Sequence, residues 1–173
     1  MSSEFIKSLV IRAKEGDVQS FGKLYDIYRE DMYRFAWYYT GTSTYAEESV
    51  SNAVLSAFEN ITSLKKAESF KSWLFTILYN ECKRAQREKM TANGLVEYGA
   101  QTETPAPEGD SDEIIALKNA LTKLGDEEKE IIILYYSCGY TSKEISSLTG
   151  IRHSTVRSKI SRATDKLRQL LAI

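Results

Sequence analysis

Apolar residues recur along this chain at three- and four-residue steps, and no alternating stretch of the kind that marks a β-strand interrupts them. Phe21, Leu24, Tyr25, Tyr28, Met32, Phe35 and Ala36 make one continuous face, which predicts a helix over residues 17–39 with Asp17 as its N-cap. The same spacing predicts helices over residues 4–14, 44–61 and 69–88. In the last of these, Phe70, Trp73, Leu74, Ile77 and Leu78 form the stripe, so Phe70 and Trp73 are expected in the core. Beyond the stripe that helix turns basic, with Lys83, Arg84, Arg87 and Lys89.

The pattern resumes at Ile114, Leu117, Ala120, Leu121 and Leu124 and again over residues 131–136, in a helix that Asp126 is expected to cap after a break at Gly125. Between the two halves the periodicity lapses. Residues 91–113 hold both prolines of the chain, three of its glycines and a surplus of acids, which is the composition of a flexible linker. The expected fold is therefore all-α, with two small helical domains over residues 1–89 and 113–173 joined by a flexible acidic linker over 90–112.

Residues 140–163, YTSKEISSLTGIRHSTVRSKISRA, carry the most specific pattern. Thr141 and Glu144 have the spacing of a capping box, Ile145 and Leu148 share one face, and Gly150 stands where a helix ends in a left-handed conformation. Ile151 can plug the turn, Ser154 or His153 can cap the next helix, and Val156, Ile160, Ala163 and Leu167 then recur at helical spacing. This is a helix-turn-helix. Away from its apolar stripe the second helix offers Arg157, Ser158, Ser161 and Arg162, flanked by Lys159, Lys166 and Arg168, donors suited to a DNA major groove. A basic amphipathic helix alone could equally be a solvated surface, and the capped helix and glycine turn before it separate the two readings.

Charge supports this only when taken by segment. The 173 residues sum to −1, yet residues 151–168 carry six cations against Asp165 alone, and residues 90–113 carry six acids and no base. No apolar run approaches the roughly 20 residues that span a bilayer, and the N-terminus lacks the pattern of a secretion signal, so membrane insertion is not expected and the cytoplasm is. Cys82 and Cys138 lie far from any C-x-x-C spacing and read as buried reduced thiols. His153 is the only histidine, which excludes a histidine-based metal cluster or triad and leaves it a capping or phosphate-contact role. No catalytic residue, metal or cofactor is expected.

In order, these features resemble a bacterial RNA polymerase sigma factor of the extracytoplasmic-function (ECF) class of the sigma-70 superfamily. Two blocks carry the resemblance. Ala120-Leu121-x-x-Leu124, Glu144-Ile145, Thr155-Val156-Arg157-Ser158, Arg162-Ala163 and Leu167-Arg168 are similar to the promoter-binding fourth region. Ala46-Glu47-Glu48-x-Val50 and Phe70-x-x-Trp73-Leu74-x-x-Ile77-x-x-Asn80, with Arg87, are similar to the second region, which binds core polymerase and melts DNA. Tyr45, Ser49 and Ser51 depart from the acidic, leucine and glutamine types usual beside Ala46-Glu47, and Arg84 stands where the family often has aspartate. Gly125 replaces the proline of an L-P pair and Lys129 a common arginine, changes that keep a helix break and a cation.

The resemblance implies a subunit without a reaction of its own, which docks on core RNA polymerase, reads promoter DNA and opens it, with an anti-sigma factor as a candidate regulator. It assigns base edges of a minus-35 element to Arg157, Ser158, Ser161 and Arg162, and phosphates to Ser154, Thr155 and Lys159. It assigns minus-10 recognition to the loop of residues 63–68, with Ser63, Lys65 and Lys66, and to Asn80, Lys83, Arg84 and Arg87. Polymerase binding falls to Glu47, Glu48, Ser51 and Asn52, and the acidic linker would thread toward the RNA exit path. The competing readings are a stand-alone helix-turn-helix regulator with a helical N-terminal domain, and a protein-binding helical adaptor. The block from Phe70 to Arg87 argues against the first, and the cations after Gly150 against the second.

Overall fold

In the computed structural model the described residues are 3–93 and 112–171, and they are helical with no strand among them. They form two compact units. The first contains α1 (Ser3–Lys14), α2 (Val18–Thr40), α3 (Ser43–Asn60) and α4 (Phe70–Asn93), with single 3-10 turns at Ile61–Ser63 and Ala67–Ser69. The second contains α5 (Asp112–Leu121), α6 (Asp126–Tyr136), α7 (Ser142–Thr149) and α8 (His153–Leu171). The expected linker at 90–112 is thus helical at both margins, since α4 continues to Asn93 and α5 opens at Asp112; its residues 94–111 lie outside the described residues.

Local chemistry sets the helix ends of the first unit. Gly16 makes the turn out of α1 with φ 95°, and the Asp17 carboxylate accepts from the amides of Gln19 (3.0 Å) and Ser20 (3.2 Å) as the N-cap of α2. The same carboxylate accepts from the Ser20 hydroxyl at 2.8 Å and from Arg12 Nη2 at 2.6 Å. These donors, the Ser20 hydroxyl first, hold its pKa below the ordinary aspartate value. At the far end α2 stops at Gly41, and Thr42 then caps α3 by accepting from the amide of Tyr45.

The core of this unit lies among α2, α3 and α4, with α1 packed on α2. Phe35 meets Phe75 edge-on at 5.9 Å and Tyr39 meets Tyr79 at 5.7 Å, while α3 contributes the buried small residues Ala46, Ser49, Ala53 and Ala57. Small side chains on α3 let its backbone lie close to the aromatic faces of its neighbours. Cys82 is buried here, and burial pushes its thiol up to about 12. Phe70 is buried as expected, but Trp73 is only half-buried. The buried band of α4 runs through Leu74, Phe75, Leu78, Tyr79, Cys82 and Ala85, which leaves Trp73 and Ile77 at its margin, the indole leaning on Phe70 at 6.0 Å.

In the second unit α6 is central: Ile131, Ile132, Ile133 and Leu134 are all buried, with α7 and α8 packed on this helix. A helix apolar on every side over one turn is one covered from several directions. Its N-cap is Gly125, without a side-chain hydrogen bond, and Asp126 is its first helical residue rather than the expected cap. Asp126, Glu127 and Glu128 still serve that end, because three carboxylates in the first turn face the positive pole of the helix. Cys138 is buried and unbridged.

Candidate nucleic-acid interface

The helix-turn-helix is assembled from short-range bonds. Thr141 Oγ1 accepts from the Glu144 amide (3.3 Å) while a Glu144 carboxylate oxygen accepts from the Thr141 amide (2.7 Å), the reciprocal box that starts α7. Gly150 ends α7 with φ 76° and donates its amide to the Ser146 carbonyl. Two hydroxyls then stitch the turn: Ser146 Oγ donates to the Ile151 carbonyl at 2.7 Å, and Thr149 Oγ1 accepts from the Ile151 amide at 3.3 Å. The turn from α7 into α8 is therefore held by side-chain hydroxyls bonded to its backbone.

His153 does not cap α8. The helix begins at His153, and the imidazole Nε2 lies 2.9 Å from Ser142 Oγ, joining the first residue of α8 to the first residue of α7. Val156, Ala163 and Leu167 are buried and Ile160 half-buried, so the packed side of α8 is the predicted one. Three further contacts fix it against the rest of the unit. Lys159 Nζ pairs with Glu127 at 2.7 Å, Lys166 Nζ donates to the Lys123 carbonyl at 2.7 Å, and the hydroxyls of Thr164 and Tyr136 lie 3.1 Å apart.

Of the residues expected at the minus-35 element, Ser154, Arg157, Ser158, Ser161 and Arg162 are exposed, and Thr155 and Lys159 are half-buried. At 100° per residue the five exposed ones share the side opposite Val156 and Ala163. Arg162 Nε donates to the Ser158 carbonyl at 3.3 Å and Ser158 Oγ to the Thr155 carbonyl at 2.9 Å, which steady both side chains on their own helix. Lys159 stands apart from this group, because its ammonium is already engaged by the first turn of α6.

In the first unit α4 presents a second polar face, on which Asn80, Arg84 and Arg87 are exposed and Lys83 is half-buried. Asn80, Lys83, Arg84 and Arg87 fall at i, i+3, i+4 and i+7, on one side of the helix. Lys83 sits over the Tyr79 ring and donates to its hydroxyl at 3.2 Å, and Arg84 pairs with Glu81 (2.7 Å) and Glu88 (3.7 Å). Ser63, Lys65 and Lys66 are exposed in the loop that leads into α4. Trp73, Thr76 and Ile77 continue the Asn80 face by one and two turns toward that loop, and the spacing from Asn80 already contained this signal. On α3, Glu47, Glu48 and Ser51 are exposed and Asn52 half-exposed, and the same face carries the exposed apolar side chains Leu55 and Phe58. Those two were absent from the expected set.

Comparison with known families assigns both units. Residues 24–91 match the sigma-70 region 2 family and residues 114–167 match the sigma-70 region 4 family. The chain belongs to the sigma-70 family and, within it, to the ECF class. It is 28% identical to the ECF RNA polymerase sigma factor EcfG of Rhodopseudomonas palustris, over 80% of this chain and 78% of that protein. It is 26% identical to the ECF RNA polymerase sigma factor SigW of Bacillus subtilis, over 96% of each. Among solved structures, the sigma factor RpoE of Bartonella quintana, crystallised with the anti-sigma factor NepR, is 26% identical with a TM-score of 0.71, covering 90% of this chain and 99% of that one. The fold is also that of CnrH, at 21% identity and TM-score 0.69 over 97% of each chain.

This ECF sigma factor therefore directs transcription initiation, and the region 2 match sets it apart from a stand-alone helix-turn-helix regulator. Sigma factors are DNA-binding initiation factors rather than catalysts. Among the described residues no helix is long and apolar enough to cross a membrane, and no group of His, Cys, Asp and Glu is placed to hold a metal ion.

Proposed function

We infer that this sigma factor works as a two-part promoter clamp, with a region 2-like domain over residues 1–89, a tether over 90–112 and a region 4-like domain over 113–173. Arg157, Ser158, Ser161 and Arg162 read the minus-35 element, Arg157 and Arg162 as bidentate partners of guanine, with Ser154 and Thr155 against phosphate. Lys159 serves this surface by holding α8 to Glu127, and reaches phosphate only by giving up that pair. The loop with Ser63, Lys65 and Lys66 captures an extruded minus-10 base, and Asn80, Lys83, Arg84 and Arg87 steady the strand. Glu47, Glu48, Ser51 and Asn52 dock on core RNA polymerase, with Leu55 and Phe58 adding apolar contact. The polymerase supplies the chemistry in the cytoplasm, and no cofactor of the sigma factor is involved.

The observation that carries this reading is that α8 and α4 each hold a donor face on the side away from a buried stripe, and that they stand in two separate units. One such face would serve a repressor. Two fit a factor that must grip double-stranded DNA at one site and single-stranded DNA at another. The similar RpoE was captured with an anti-sigma factor, which supports a comparable inhibitor for this chain. The test is transcription in vitro by core polymerase with and without the protein, with start sites mapped. Promoter-dependent initiation is expected; its absence, or binding only as an isolated dimer on palindromic DNA, overturns the reading.

A further inference from the structure

Two lysines of α1 reach across to the loop before α4. Lys14 Nζ donates to the Leu64 carbonyl at 2.6 Å, fifty residues away in sequence, and Lys7 Nζ pairs with the Glu68 carboxylate at 2.8 Å. Lys7 and Lys14 are seven residues apart, so they lie on one side of α1 about 10 Å apart along its axis. Val10, fully buried, lies between them on that side. The two contacts are complementary in kind, one a charge-assisted bond to backbone and one an ion pair with the middle residue of the Ala67–Ser69 3-10 turn. Each raises or lowers its partner as an ion pair should: Glu68 holds Lys7 above the ordinary lysine value, and Lys7 holds Glu68 below the ordinary glutamate value.

Other contacts also hold parts of the loop. Ile61 and Leu64 are buried, Ser63 Oγ donates to the Asn60 carbonyl at 2.7 Å, and the Ser69 amide donates to the Lys66 carbonyl at 3.1 Å. Leu64 and Lys66 are extended, with ψ of 115° and 123°. An extended residue has no helical partner for its carbonyl, and a backbone acceptor left unpaired in a half-buried place is costly. Lys14 supplies that partner for Leu64, directly before the exposed Lys65 and Lys66, and Lys7 closes the other side at Glu68.

From this geometry we propose that α1 is a strap that sets the conformation of the minus-10 loop, and that Lys7, Lys14 and Glu68 are positioning residues for base capture. None of the three needs to touch DNA. Held at Leu64 and at Glu68, the loop presents Ser63, Lys65 and Lys66 in one arrangement; released, it samples many, and it loses the ability to tell a fitting base from a misfit before it loses all affinity. The proposal rests on the reading that this loop captures the extruded base.

The test uses the full chain bound to core polymerase and the single-stranded minus-10 segment of a promoter obtained by in-vitro selection with the same complex. The measured quantity is the ratio of affinities for the selected segment and for segments with one base changed. A variant that is partly unfolded loses affinity for both in proportion and leaves this ratio intact, whereas a loosened loop lowers it. Lys14→Met and Glu68→Gln are expected to reduce the ratio by about two- to fivefold, the scale of a part-exposed polar contact. Lys14→Arg is expected to retain most of it, and Lys7→Glu combined with Glu68→Lys to restore what either change alone removes. Raised salt should mimic Glu68→Gln more than Lys14→Met, because the ion pair is exposed and the Lys14 bond is partly covered. Unchanged ratios in Lys14→Met and Glu68→Gln, or no recovery in the charge-exchanged pair, overturn the strap. If Ser63→Ala, Lys65→Ala and Lys66→Ala also leave the ratio unchanged, the loop is not the capture site and the underlying reading falls with it; if they lower it while the α1 changes do not, only the strap falls.

Discussion

Replacing Gly150 by alanine isolates the backbone cost of the helix-turn-helix. Gly150 has φ 76° and ψ 1°, and a Cβ built there meets nothing within 4 Å, so no side chain has to move. What remains is the left-handed conformation, which costs an L-residue about 1–2 kcal/mol. Against this, alanine restricts the unfolded chain and recovers about 0.4–1 kcal/mol. The hydrogen bond that the residue-150 amide donates to the Ser146 carbonyl, 3.0 Å long, survives in the variant. Gly150→Ala should therefore destabilise the second unit by about 1 kcal/mol, and Gly150→Asn by clearly less, since asparagine tolerates this region. Both tryptophans, Trp37 and Trp73, belong to the first unit, so tryptophan fluorescence during urea unfolding follows that unit alone. Its midpoint should not move, while the helical circular dichroism attributable to the second unit should melt earlier, by about 4–8 °C for a domain of this size. Minus-35 binding should fall only as far as the unfolded population rises. A loss above about 3 kcal/mol would refute the argument, because it would require a clash that the open space around the Cβ rules out, and equal losses for alanine and asparagine would refute it by showing that the left-handed backbone is not the source of the cost.

Thr141→Ala removes the Oγ1 acceptor for the Glu144 amide and should cost about 1 kcal/mol in the same unit, with Thr141→Ser close to wild type by thermal melting. Asp17 titrates below its ordinary value in the folded chain because of Ser20 and Arg12, so its contribution to stability is complete above about pH 4 and fades as pH falls through the lowered value. Asp17→Asn should accordingly flatten the acid limb of the first unit's stability, read as urea midpoints between neutral and acid pH, and an unchanged acid limb would show the carboxylate to be uncoupled from folding. Arg157→Ala should weaken binding by about 1–3 kcal/mol at one base position of the minus-35 element, measured against a panel of single-base variants. Uniform loss across the panel would reassign Arg157 to phosphate.

Where the sequence alone was enough, the interaction was short in sequence. The Thr141–Glu144 box spans three residues, the Asp17 cap two and three, and the Gly150 turn five, so residue type and spacing state the whole contact. The buried stripe of α8 is similarly complete in its 3.6-residue period, which explains why Val156, Ala163 and Leu167 fall where they were expected. The expectations that moved depend on partners far along the chain. Whether Trp73 is buried depends on which edge of the α4 stripe α2 and α3 cover, and Phe75 and Tyr79 take that place through Phe35 and Tyr39. Lys159 looks like one more outward cation until Glu127, thirty-two residues earlier, is seen beside it, and His153 looks like a cap until α7 brings Ser142 to its ring. Period and propensity locate a helix and its apolar side, but the remaining side chains are divided between holding the helix and facing outward by the neighbours that the fold delivers. For α8 that division is what matters chemically. The cation bound to α6 stabilises the pose of the helix, and the arginines left on its far side are the ones whose donors can be spent on bases.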